Sequence, residues 1–201
     1  LQPQQGHTYE LGTRFTQGVV RAEGTVFYTR IDDEILFNRL NGLFGQNQNF
    51  NTRRVGLELA GALDLPARGV RSSITYTVVD AEFRKGQFVS NTIPGTPAHL
   101  LNASLGVSPI ENLWMTFDWQ LINDFYRIND FNNALGKGDN FGVLNFSVDY
   151  ERSWWRAFFK ITNLTNEEYV AFQSSNASNL TGAGENPMPP IGFTGGITVK
   201  F

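Results

Sequence analysis

Hydrophobic and polar residues alternate along most of this chain, most plainly at its end. From Ile191 the odd positions read Ile191, Phe193, Gly195, Ile197, Val199 and Phe201, and the even positions read Gly192, Thr194, Gly196, Thr198 and Lys200. Successive side chains of a strand point to opposite faces, so this segment has one apolar and one polar face. Leu144 to Tyr150, Leu113 to Leu121 and Val55 to Leu63 repeat the pattern. It is weaker around Trp155 to Ile161, where Phe158 breaks the polar face, and around Leu101 to Val107, Ile74 to Val78, Ala22 to Tyr28 and Tyr9 to Phe15. Nine antiparallel strands of about ten residues are predicted, typical of outer-membrane barrel strands. No stretch has a convincing helical period.

The connections alternate in length. Short ones fall at Thr16 to Gly18, Leu65 to Gly69, Ser108 to Asn112 and Glu151 to Ser153. Long ones fall at Glu34 to Asn51, Arg84 to Ala98, Asp124 to Asp139 and Glu167 to Pro189. In a meander this puts every short turn on one edge and every long loop on the other, as in outer-membrane barrels with short periplasmic turns and long external loops. Trp114, Tyr150, Trp154 and Trp155 sit at the short-turn ends, where an interfacial aromatic girdle is expected. A soluble sandwich or lipocalin-like barrel also alternates, but neither requires loops to be long on one side only. The predicted fold is therefore all-β, an antiparallel transmembrane β-barrel. Single-chain bacterial barrels have even strand counts, and an open edge in hydrocarbon leaves backbone groups unpaired. The nine strands are thus expected to be part of a larger barrel.

Composition narrows the chemistry. The 201 residues contain no cysteine, which removes disulfides and thiolate ligands, and the net charge of −3 with no basic tract gives no sign of nucleic-acid binding. No run approaches the roughly 18 apolar residues of a membrane helix, and no signal-peptide pattern is visible.

The segment Phe159-Lys160-Ile161-Thr162-Asn163-Leu164-Thr165-Asn166-Glu167-Glu168-Tyr169, followed after a loop by Pro189 to Phe201, resembles the end of a TonB-dependent outer-membrane receptor. His7 to Arg14, Thr52 to Glu58 and Ile93 to His99 are similar to further landmarks of that family, in the family's order. The resemblance implies the C-terminal portion (residues 1–201) of a roughly 22-stranded barrel, with the plug domain and the N-terminal strands absent. It implies a location in the bacterial outer membrane and active import of a ferric siderophore or similar scarce chelate. The implied partners are outer-membrane lipid, the remaining barrel strands, the plug, the TonB complex acting through the plug, and the barrel-assembly machinery, for which Phe201 would be the signal. A passive porin-like channel is the alternative, and an outer-membrane barrel enzyme a more distant one.

Catalytic chemistry finds little support. His7 and His99 fall near long-loop ends of strands with no nucleophile motif around them. Asp32-Asp33-Glu34 lacks the oxygen spacing of a calcium loop and reads as a solvated strand end. No cofactor or resident metal is expected, and iron would enter only within the cargo. Charges on the polar face, Arg14, Arg54, Glu58, Asp118, Asp149, Arg156 and Lys200, would be costly against lipid and are expected to face a lumen and its plug. The long loops are expected to carry recognition, with Asn47, Asn49, Phe50, Tyr126, Arg127 and Phe131 as candidate ligand contacts. Asn176 to Asn179 and Gly182-Ala183-Gly184 have the composition of a flexible loop tip.

Overall fold

The structure is a computed structural model that describes residues 1–38, 45–175 and 183–200. Alternation becomes strand throughout. β1 (Gln5–Gln17), β2 (Val20–Asn38), β3 (Gln46–Leu65), β4 (Val70–Phe83), β5 (His99–Val107), β6 (Leu113–Asn123), β7 (Phe141–Arg152) and β8 (Trp155–Thr162) follow in sequence. β9 (Val170–Ser175) and β10 (Ala183–Pro187) precede β11 (Gly192–Val199). β1 to β8 and then β11 form one nine-stranded antiparallel sheet, in which each strand pairs with its neighbour in the meander and, among the described residues, the outer edges of β1 and β11 are unpaired. A 3-10 turn, Pro66–Arg68, connects β3 to β4.

Two of the expected long loops need correction. Glu34 to Asn51, read as a loop, is largely strand: β2 runs on to Asn38 and β3 begins at Gln46. Asp32 and Asp33 form a β-bulge between the pairs Ile31↔Thr52 and Glu34↔Phe50, with Asp33 at φ 59°. The extra residue shifts the side-chain phase, so Glu34 turns to the face of Arg54 and Thr52. The segment from Glu167 to Pro189, also read as a loop, contains the separate β9–β10 hairpin.

The two faces separate as the period of two requires. On the convex face large apolar side chains are exposed, including Leu11, Val26, Leu59, Ile74, Leu105, Trp119 and Phe159. Toward the long loops this band meets ion pairs, Arg30 with Asp32 at 3.0 Å and Arg53 with Glu82 at 2.8 Å. Toward the short turns it meets Trp155, whose ring centroid lies 5.4 Å from that of Tyr150 and 6.1 Å from that of Trp154. The concave face is largely polar, and one of its exceptions, Phe158, has a local cause. Phe158 pairs with Gly196, where a Cβ would lie 2.7 Å from the ring, so the glycine provides the room the phenylalanine occupies. Trp114, expected in the girdle, instead lies on the concave face beneath Arg71, whose guanidinium carbon is 3.7 Å from the ring centroid.

Burial is concentrated at the long-loop end. Ala81, Phe83, Phe88, Ile93 and Phe131 form a core, with Leu36, Phe50 and Val79 packed against it. A second cluster of Phe125, Phe141 and Val143 gathers Ile122 and Tyr169.

Candidate functional site

Two features distinguish the concave side: an ionic wall and a tied group of loops over its mouth. The wall presents paired charges. Arg14 Nε lies 2.8 Å from Glu23 Oε1, Arg156 contacts Asp149, and Lys200 Nζ is 2.5 Å from Glu151 Oε1. Higher up, Arg54 Nη2 donates to Glu34 Oε1 at 2.8 Å and Thr52 Oγ1 donates to Glu34 Oε2. Thr52 is fully buried and Glu34 9% exposed. Asp32-Asp33-Glu34 is therefore not a solvated strand end. The bulge sends Asp32 to Arg30 and Arg84, and Glu34 to Arg54. Desolvation of the Glu34 carboxylate is offset by charge-assisted hydrogen bonds.

At the mouth, the rings of Phe50, Phe83, Phe88 and Phe131 contact one another with centroids 5.3–6.1 Å apart. Polar clamps surround them. Asn133 Oδ1 accepts from Thr92 N at 2.7 Å and Asn133 Nδ2 donates to Thr92 O at 3.0 Å, tying the connection after β6 to the one after β4. Asn91 Nδ2 donates to Phe131 O at 2.8 Å. The Asp130 carboxylate accepts from Ala134 N and Leu135 N, which makes it an internal loop cap. β9 joins the group: Ile128 N donates to Gln173 O at 2.9 Å, and Arg127 Nε donates to Gln173 Oε1 at 3.3 Å. Gln173 is 1% exposed. Asn133, Asp130 and Gln173 were not among the sequence candidates. Their partners are far away in sequence, and the one local signal for Asn133, an asparagine suited to its φ of 53°, is common to many turns.

The six loop candidates separate by environment. Asn47, Asn49 and Phe50 lie in β3 rather than in a loop. Asn49 is occupied locally, accepting from Gln2 N and donating to Gln2 O and Asp33 O. Phe50 and the buried Phe131 belong to the aromatic cluster. Tyr126 and Arg127 are partly exposed at the mouth. A hollow of about 380 Å³ is lined by Leu36, Ile93, Pro94, Ile128, Phe131 and Phe172. His7 and His99 lie at the long-loop ends of β1 and β5, and His99 Nδ1 is 2.7 Å from the Tyr76 hydroxyl. Among the described residues no group of three or more His, Asp or Glu is placed to hold a metal. Phe201, Asn176 to Asn179 and Gly182 lie outside the described residues.

The fold is similar to solved receptors. The ferric yersiniabactin uptake receptor FyuA from Yersinia pestis matches 96% of this chain at 20% identity with a TM-score of 0.78. The copper transporter OprC matches 99% at 16% identity with a TM-score of 0.80. The ferric-catecholate import receptor Fiu of E. coli K12, in its closed form, matches 100% at 20% identity with a TM-score of 0.75. The matches cover 29%, 32% and 28% of those chains respectively, so this chain spans less than a third of their length. The family model described as TonB dependent receptor-like, beta-barrel, matches residues 1–164. With its open nine-stranded sheet, exposed apolar convex face and ionic concave wall, the chain belongs to the TonB-dependent receptor β-barrel family.

Proposed function

We propose that this chain forms the C-terminal wall of an active importer in the bacterial outer membrane, which takes up a ferric siderophore or a similar scarce chelate. The observation that carries the reading is the inverted polarity of the sheet. Large apolar side chains are exposed on the convex face, while charged side chains pair on the concave one. Hydrocarbon outside and a polar filling inside satisfy both faces. The remaining strands cover the two open edges, and the plug rests on the concave charges and transmits the pull of the TonB complex. The barrel-assembly machinery reads the segment that follows β11, with Phe201 as its signal. Tyr126 and Arg127 meet the cargo, a role that their partial exposure supports.

The test is topological. In the complete receptor, cysteines at Gly86 and Asn132 should react with an impermeant reagent outside intact cells, and cysteines at Ala67 and Asn112 should not. Reversed or uniform labelling refutes the orientation. A passive porin-like segment would share this topology, but its solute flux would survive loss of TonB. The ordered loop cluster over the mouth favours capture over free diffusion.

A further inference from the structure

The connection from β8 to β9, the start of β7 and the link from β10 to β11 meet around a hollow of about 500 Å³. Phe141, Tyr169, Val170 and Met188 give it an apolar surface. Phe141 is buried, and its ring centroid lies 4.8 Å from that of Tyr169. Asp139, Glu167 and Glu168 also line the hollow, and all three are exposed. No Lys, Arg or His stands among the lining residues. Lys137, two residues before Asp139, is engaged elsewhere, with its Nζ 3.1 Å from Asp124 Oδ1. Among the described residues, none of the three lining carboxylates joins an ion pair or accepts a hydrogen bond.

The backbone around the hollow is tied in place. Asn163 is buried; its Oδ1 accepts from Glu167 N at 2.8 Å and its Nδ2 donates to Glu167 O at 2.9 Å. Asn166 Oδ1 accepts from Ile191 N at 3.0 Å, and Met188 N donates to Tyr169 O at 3.0 Å, which fastens the link before β11 to the connection after β8. A hollow held open in this way costs little ordering when it is filled. Its volume is that of a small-molecule site. Three carboxylates without an internal partner give it a negative potential, and aromatic faces attract cations as well as apolar surface. Both features select the same class of occupant. Among the described residues no group of three or more His, Asp or Glu is placed to hold a metal, so the charge complement is an organic cation.

We propose that this hollow binds a small organic cation with a flat apolar body, an amidinium or ammonium carried on a ring. The body lies against Phe141 and Tyr169, and the charged end pairs with the carboxylates of Glu167, Glu168 and Asp139. A neutral molecule of the same shape keeps only the apolar contact, and an anion is repelled. The inference goes beyond the transport reading and rests on the geometry of three segments within this chain.

Three probes of one shape test it: benzamidinium, benzamide and benzoate, titrated at pH 7 into the complete receptor in detergent and followed by ligand-observed NMR. Benzamidinium should bind about tenfold tighter than benzamide, and benzoate more weakly than either. The double variant Glu167→Gln, Glu168→Gln changes two exposed side chains that support no described contact, so the fold should be kept. It should remove most of the preference for benzamidinium and leave benzamide binding unchanged. Asp118→Asn, outside the hollow, should leave the preference intact. Equal binding of benzamidinium and benzamide, or a preference that survives the double variant, overturns the site. Absence of binding by all three probes overturns it as well, since another part of the receptor then fills the hollow. Surface labelling of Gly86→Cys in intact cells reports the barrel orientation separately, so either reading can fail without the other.

Discussion

Ile74 gives the sharpest measure of what covers the convex face. It sits on a central strand, paired with Gly61 on one side and Ala103 on the other, and is 49% exposed. Small neighbours leave half of the side chain facing outward. Ile74→Ala removes three carbons at about 0.8 kcal/mol each, and scaling by the exposed fraction assigns roughly 1.2 kcal/mol to the surrounding medium. In lipid that part is lost on truncation, in addition to the packing lost against the neighbouring strands. In water the exposed half contributes nothing. Ile74→Arg separates the cases further, because arginine near the midplane of such a barrel costs about 2–4 kcal/mol. Thr75→Arg, one residue along and on the concave face, has polar neighbours and should cost less. The assay is reversible urea unfolding of the complete receptor in phospholipid vesicles, read by tryptophan fluorescence. Ile74→Arg should exceed Thr75→Arg by at least about 1 kcal/mol, allowing for snorkelling of the longer side chain. If Ile74→Arg is neutral, or if Thr75→Arg is the worse of the two, the convex face does not meet hydrocarbon.

Two other perturbations address the mouth and the wall. Asn133→Ala removes both bonds to Thr92, and at about 1 kcal/mol per net hydrogen bond the amides of Thr92 and Ile93 should exchange roughly tenfold faster or more; unchanged protection would mean the clamp does not order the loop. Gly56→Ala places a Cβ 2.4 Å from the Phe27 ring and 2.6 Å from the Val78 carbonyl oxygen, so it should destabilise by about 1–3 kcal/mol. Because one of those atoms is backbone, Phe27→Ala should restore only part of the loss, and full rescue in the same unfolding assay would refute the geometry.

The sheet was legible because a period of two survives in a single sequence: the exposed apolar residues are those that alternation places on one face. It also favours the concave position of Trp114, between Leu113 and Met115, over the girdle role suggested by its place near a turn. What could not be read depends on distant partners. The bulge at Asp32 and Asp33 is a shift of one residue whose purpose appears only when Arg54 arrives from the next strand. The β9–β10 hairpin lies in a segment rich in Asn, Ser and Gly, which carries no alternation. Gln173 and Asn133 look like ordinary loop residues, and their burial is created by a neighbouring loop that no local window contains. The same holds for Phe50 and Phe131, since an aromatic side chain in a loop reads equally as a ligand contact or as the centre of a core.

That core of four phenylalanines, with Asn133 cross-tied to Thr92, has a thermodynamic consequence at the mouth. Ordering a free loop costs about 1–2 kcal/mol of backbone entropy per residue. Here much of that loss is incurred when the protein folds, so on the proposed reading a molecule arriving at Tyr126 and Arg127 would meet segments whose freedom is already restricted. Recognition at such a surface depends on fit to a standing shape, and its gain appears chiefly in slower departure of the bound molecule. A change of preference then comes most readily from replacing side chains at the rim, because refolding the loops would first have to dismantle the aromatic cluster beneath them.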